Sequence, residues 1–133
     1  MTYVGIIIAA YVGLLALMYF TQRSLMYHPG KEMASPMVSG VPEMVAINLK
    51  NDEGMKIVSW YKASSTNKPT LVYFQGNAGT IADRNHKVRP FIDHGIVVIL
   101  VGYRGYGNNP GSPTEEGLYA EAATALEFLS HTG

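Results

Sequence analysis

No cysteine occurs anywhere in this 133-residue chain, which excludes disulfide scaffolds, cysteine-based zinc sites and thiol nucleophiles. Excess charge of either sign is equally absent, because ten Lys plus Arg balance ten Asp plus Glu. With no basic field to hold phosphates, nucleic acid is not an expected partner. His and carboxylate residues nowhere fall at metal-ligand spacing, so no metal and no other cofactor is expected. Charge is also missing locally, since no Asp, Glu, Lys or Arg precedes Arg23.

What the first segment has instead is apolar surface, broken in residues 1–20 only by Thr2, Gly5 and Gly13. Tyr3 to Phe20 is an uncharged run of 18 residues, and as a helix it would reach about 27 Å, enough to span a bilayer core. A cleavable signal needs a basic leading region and a small-residue cleavage site. Nothing basic comes before Arg23, and Thr21-Gln22-Arg23 offers no such site. The run is therefore read as an uncleaved transmembrane anchor, with Tyr3 and Tyr19 near its ends, where aromatic belts sit. A helix apolar all round would otherwise need a larger core than this chain supplies. Arg23 and Lys31 follow the span, and the positive-inside rule then puts the remainder on the cytoplasmic side.

His28 to Pro42 carries Pro29, Pro36 and Pro42 and reads as a neck. The expected organisation is an anchor at 1–28, the neck at 29–42 and an α/β unit at 43–133. Val45, Ile47 and Leu49 alternate with polar neighbours, Asn51-Asp52-Glu53-Gly54 turns the chain, and Met55 to Lys62 returns, which predicts an amphipathic hairpin. After a polar loop at Ser64 to Pro69, Thr70 to Phe74 and Ile96 to Val101 are short, β-branched and continuously apolar, the pattern of parallel strands buried on both faces. Thr80 to His94 predicts a helix closing at Gly95, kinked or shortened by Pro90. A second helix is expected from an N-cap at Ser112, with Pro113 at its first position and Glu115 completing a capping box. Leu118, Ala122, Ala125 and Leu129 would form its buried face. Strand and helix alternating after an antiparallel start indicate an α/β fold.

Two glycine-rich loops follow the two buried strands, where open α/β sheets place ligands. The first is Gln75-Gly76-Asn77-Ala78-Gly79-Thr80 and the second Gly102-Tyr103-Arg104-Gly105-Tyr106-Gly107. The backbone N–H groups of the first can point at an anion or an oxyanion; a plain tight turn fits the same residues equally well. No Gly-Lys-Ser/Thr follows either loop, so a P-loop is excluded, and neither matches Gly-x-Gly-x-x-Gly.

Taken together, Tyr-Phe-Gln-Gly-Asn-Ala-Gly at 73–79, Tyr-Arg-Gly-Tyr-Gly at 103–107, Gly111-Ser112-Pro113 and the neck Arg23-Ser24-Leu25-Met26-Tyr27-His28-Pro29 resemble one family. It is the α/β-hydrolase superfamily, and within it the membrane-anchored branch. The resemblance implies the amino-terminal part of an α/β-hydrolase fold behind a transmembrane helix. It also implies that the first loop supplies one oxyanion-hole N–H from Gly76, Asn77 or Ala78, chiefly Asn77. Gln75 stands where the family carries a His that buttresses the loop; Gly79, Tyr103, Arg104 and Gly105 fall on the supporting positions. Asn109 stands where the family usually has Ser, in what is expected to be a surface loop.

Full-length relatives are thereby expected to cleave ester, thioester or amide bonds in a small-molecule or lipid-like acyl substrate through an acyl-serine. That chemistry needs Ser on a Gly-x-Ser-x-Gly elbow, then an acid, then His. None of Ser24, Ser35, Ser39, Ser59, Ser64, Ser65, Ser112 or Ser130 has glycine at both flanking positions. His28, His86, His94 and His131 precede the place the triad order gives its base. No catalytic residue is therefore assigned in this chain, which reads as the front half of a domain that needs more than about 200 residues. In such a half, the strand Thr70 to Phe74 keeps an unpaired, unguarded apolar edge. The competing readings are a non-catalytic membrane-tethered interaction module and a nucleotide or phosphate binder using the first loop.

Overall fold

The computed structural model describes residues 2–64 and 67–132; Ser65 and Thr66 of the polar loop lie outside the described residues, as do both terminal residues. The apolar run forms one helix, α1 (Thr2–Met26), with no buried residue. Its apolar window has a mean hydropathy of 2.2, so by length and composition it is sufficient to cross a membrane. Two residues later comes β1 (His28–Pro29).

The remaining strands are β2 (Val45–Lys50), β3 (Lys56–Lys62), β4 (Thr70–Phe74), β5 (Ala78–Gly79) and β6 (Val97–Val101). Four of them make a mixed sheet in the order β2-β3-β6-β4. β2 and β3 are the expected hairpin, β3 pairs antiparallel with β6, and β4 pairs parallel with β6. β6 lies in the middle and alternates its side chains between two cores. Val98 and Leu100 join Val41, Met44, Trp60, Ile81, Val88 and Ile92 on one face. Ile99 and Val101 join Leu49, Tyr103, Tyr106 and Ala125 on the other. Burial on both faces explains why β6 reads as an unbroken apolar run.

β4 has the same apolar sequence but a different fate. Leu71, Val72 and Tyr73 are half-buried and Phe74 is exposed, which corrects the expectation of full burial. β4 is an edge strand, with β6 on one side and no strand on the other among the described residues. The hairpin also departs from simple amphipathicity. Ile57 and Ser59 are buried on one face while Trp60, on the opposite face, is 1% exposed and joins the core of Val98 and Leu100; a Trp so buried is worth about 3–5 kcal/mol against alanine.

The first predicted helix is divided. A 3-10 turn at Ile81–Arg84 precedes α2 (Asn85–Asp93). The interruption falls at Arg84, whose backbone leaves helical angles, and Pro90 lies inside α2. The C-terminus closes as expected, because the Gly95 N–H donates to Ile92 and the Ile96 N–H donates to Phe91, with Gly95 supplying the left-handed residue. In α3 (Glu115–Thr132) the cap is displaced by two residues. Thr114 Oγ1 accepts the Gly117 N–H at 3.0 Å, so Thr114, not Ser112, is the N-cap and Glu115 is the first helical residue. Ser112 and Pro113 are held outside the helix against Gly105, where an added Cβ would lie 2.6 Å from Pro113 Cδ. The buried stripe of α3 is correspondingly rotated, with Gly117, Glu121 and Ala125 buried and Leu118, Ala122 and Leu129 on its flank.

Candidate functional site

The first glycine-rich loop leaves the C-terminal end of β4 beside β6, so it opens at the carboxyl edge of the parallel pair. Two positive-φ residues set its shape, Gly76 at +87° and Gly79 at +72°. At Gly79 a side chain is excluded twice, by that φ and by Asp83 Oδ2, which a Cβ would approach to 2.5 Å. Asp83 is needed there, because its carboxylate accepts the Thr80 N–H at 2.7 Å and caps the 3-10 turn. Arg84 closes the loop from below, donating through Nε to the Gln75 carbonyl at 2.8 Å and through Nη2 to the Ala78 carbonyl at 2.7 Å. Arg84, which makes this tie, is also the residue at which the backbone leaves helical angles before α2.

The loop has a further support that chain order does not suggest. Its Ala78 and Gly79 form β5, which pairs in parallel with β1 of the neck. The His28 N–H donates to the Asn77 carbonyl at 2.8 Å and the Gly30 N–H to the Gly79 carbonyl at 2.9 Å. The Asn77 carbonyl also accepts the Tyr106 hydroxyl at 2.9 Å. Gly76, Asn77 and Ala78 themselves are exposed. Among the described residues the N–H groups of Gly76 and Asn77 donate to no acceptor. Gln75, in contrast, is only 3% exposed, and its Nε2 is a buried donor with no partner among the described residues. A donor stranded in this way costs free energy until an acceptor is brought to it.

The second loop is built differently. Tyr103, Arg104 and Tyr106 are buried, and Arg104 lies in an ionic cluster. Its Nη2 is 2.9 Å from Glu121 Oε1 and 3.1 Å from Glu53 Oε1. Asn51 Nδ2 donates to the same Glu121 carboxylate at 3.1 Å. Hydrogen bonds that it donates to Glu121, then to Glu53, hold the guanidinium protonated well above its usual range. The helix makes room for it at Gly117, where a Cβ would sit 2.5 Å from Arg104 Cδ. Burial, with smaller contributions from Tyr106 and Glu121, pushes the Tyr103 hydroxyl up to about 12. Phe74 stacks on Tyr103 with ring centroids 6.4 Å apart, and Tyr106 meets Tyr103 edge-on at 5.8 Å.

Asn109 is 9% exposed, which corrects its placement in a surface loop. Its Oδ1 accepts the Val58 N–H at 2.8 Å and its Nδ2 donates to the Tyr103 carbonyl at 3.2 Å, bonding the end of the second loop to β3. A serine at this position would be too short to make both bonds. Glu121, Glu53 and Arg84 escape a reading based on apolar periodicity, which does not register the partners of charged side chains. The one available clue is Gly117 inside an otherwise helical pattern.

The two loops meet through Tyr106 and Asn77, and Ser130 Oγ lies 3.3 Å from His131 Nδ1 at the exposed end of α3. His94 Nδ1 contacts the Pro90 carbonyl at the end of α2, and His131 Nδ1 the Glu127 carbonyl in the last turn of α3. Ser59 is buried, its Oγ accepting the Gly102 N–H at 2.9 Å. No group of three or more His, Asp or Glu that could hold a metal ion occurs among the described residues. The arrangement can therefore offer backbone donors to an anion.

No protein-family model matches the chain. An uncharacterized Mycobacterium tuberculosis protein is 33% identical over 129 residues, an alignment covering 96% of this chain and 46% of that protein. The Arabidopsis thaliana alpha/beta hydrolase domain-containing protein WAV2 is 31% identical over 134 residues, covering 95% of this chain and 42% of its own. The Xenopus tropicalis lysophosphatidylserine lipase ABHD12 is 34% identical over 94 residues, covering 68% of this chain and 24% of its own. The chain thus spans less than half the length of these relatives. Among solved structures, the Pyrococcus furiosus esterase Pf2001 superimposes with a TM-score of 0.57 at 16% identity, covering 78% of this chain and 42% of its own, which shows a shared fold. With the strand order, the loop at the end of β4 and these relatives in agreement, the chain belongs to the α/β-hydrolase superfamily.

Proposed function

We propose that this chain is the front part of a membrane-anchored serine hydrolase, with residues 1–28 as the anchor, 29–42 as the neck and 43–133 as a partial α/β-hydrolase domain. Gly76, Asn77 and Ala78 form the oxyanion-hole segment, and Gln75, Gly79, Tyr103, Arg104 and Gly105 support it. The observation that carries this reading is the first loop itself, exposed at the end of β4 with the Gly76 and Asn77 N–H groups unengaged among the described residues. Such donors, fixed before the reaction begins, stabilise the charge that develops on an acyl oxygen. The bond cleaved is an ester, thioester or amide of a lipid-like acyl compound. Support for that class comes from the lipase among the relatives and from an apolar helix that would hold the loop close to a bilayer.

The nucleophile, acid and base are absent from this sequence, so the chain alone is expected to hydrolyse no short acyl ester above buffer. The reading is tested by continuing the chain past residue 133 with the remainder of the mycobacterial relative. That chimera should label with a fluorophosphonate and cleave p-nitrophenyl butyrate; a folded, monodisperse chimera that does neither defeats the proposal. Anchoring is tested separately by carbonate extraction. The chain is expected to stay with the membranes, and its recovery in the supernatant would remove α1 as an integral span.

A further inference from the structure

Asn77 is held at three points. Its side-chain Nδ2 donates to the Met26 carbonyl at 2.9 Å, the last residue of α1. Its main-chain carbonyl accepts both the His28 N–H at 2.8 Å and the Tyr106 hydroxyl at 2.9 Å. The one polar group of the residue left without an acceptor among the described residues is its N–H. Because peptide units are planar and stiff, fixing the carbonyl and the side chain leaves rotation about the N–Cα bond as the main remaining freedom at this residue.

The neck is threaded between the two glycine-rich loops at the same place. Gly30 donates to the Gly79 carbonyl on one side, and its own carbonyl accepts the Gly107 N–H at 2.7 Å on the other. No side chain fits at Gly30, where a Cβ would lie 2.9 Å from Thr80 Cγ2 and 3.2 Å from the Gly79 carbonyl carbon. Met33 fills the next gap, and a Cβ on Gly107 would come 3.1 Å from Met33 Cβ. Three bonds therefore join the end of α1 and the first residues after it to the first glycine-rich loop, and a fourth joins them to the second loop.

We infer that the end of the anchor helix and the neck are a working part of the oxyanion loop, with the Asn77 side chain as the positioning residue that couples the two. The inference rests on reading Gly76 to Ala78 as the oxyanion segment. α1 then does more than retain the protein at a membrane, because its last carbonyl orients the residue that presents the donor. Tilt or displacement of the helix end is transmitted to the Asn77 main chain through a single side chain and a two-residue ladder. Severing the neck should weaken the site even where the protein stays at the membrane by other means.

Amide hydrogen exchange on the full chain in detergent micelles reads the coupling without any chemistry. In the unsubstituted chain the His28, Gly30 and Gly107 amides should exchange at least tenfold slower than unstructured peptide. Asn77→Ala and Asn77→Asp should each accelerate His28 at least tenfold, since a carboxylate has the shape of the amide but cannot donate to the Met26 carbonyl. Gly30→Val should accelerate all three, while the Asn51 amide in the distant hairpin turn stays protected in every variant. Unprotected neck amides in the unsubstituted chain, or an Asn77→Asp variant indistinguishable from it, would overturn the coupling. In the chimera, Asn77→Asp should lower kcat about tenfold with KM unchanged. A chimera that is inactive in every form defeats the hydrolase reading and leaves the exchange result to decide the coupling; an active one whose kcat ignores Asn77→Asp defeats the positioning role.

Discussion

The two glycine-rich loops come from similar sequence in similar places, each directly after an apolar strand, yet they are built to opposite specifications. In the first, the residues at the tip are exposed and only one side of the backbone is engaged, by Arg84 and by the neck. In the second, the side chains are buried and Arg104 is surrounded by carboxylates. Glycine serves presentation in one case and close packing in the other. A glycine-rich loop after a strand therefore announces a constrained backbone, and only the partners of that backbone tell whether it faces a ligand or a core.

The largest break in this contrast should come from Glu121→Ala. Removing the more buried partner leaves the Arg104 guanidinium buried with only Glu53 beside it, and losing one member of a buried pair costs about 3–5 kcal/mol. Urea unfolding in micelles would measure it; a loss below about 1 kcal/mol would place Arg104 among ordinary surface ion pairs. The matching change in the first loop is Arg84→Met. Of its two bonds one is part-buried and the other exposed, so global stability should fall by about 1 kcal/mol, with the structural effect confined to residues 75–79. A drop as large as that of Glu121→Ala would mean that the first loop is a packing element too.

The subtlest difference is one of pH. The Tyr103 hydroxyl has an ordinary value of 10.0 and is pushed up to about 12, chiefly by burial. Between those values the unfolded chain has lost a proton that the folded chain retains, so stability is full below about pH 10 and declines as pH rises toward about 12. Tyrosinate absorbance followed through that range, against Tyr103→Phe, checks the sign. An unchanged alkaline limit in the phenylalanine variant would show that Tyr103 is not the group responsible.

Much of this was legible in the sequence because burial writes itself into periodicity. β6 is apolar at every position since both of its faces are covered, and the stop of α2 at Gly95 follows from local chemistry alone. Where tertiary contacts decide, the sequence is silent. β4 and β6 look equally apolar, and periodicity does not separate them; the edge position of β4 is reached only through the family likeness. The cap of α3 moves from Ser112 to Thr114 because Pro113 is committed to Gly105, a contact that no local rule contains. Of the site, the exposed segment 76–78 could be reached through family likeness, whereas Arg84, Glu121 and the pairing of β1 with β5 could not. Each depends on residues that meet only after the chain has folded back on itself.

That last pairing also sets an order of events. Asn77 and Met26 are 51 positions apart, so the ladder between neck and loop closes a long chain segment and yields its few hydrogen bonds only after that entropy has been spent. During synthesis the neck is made before its partner, and it stays unpaired until the hairpin and β4 have followed it. Long-range contacts of this kind form late. The loop proposed to carry the chemistry is thus among the last parts to mature, and α1 is complete long before the residue it is inferred to orient has been translated.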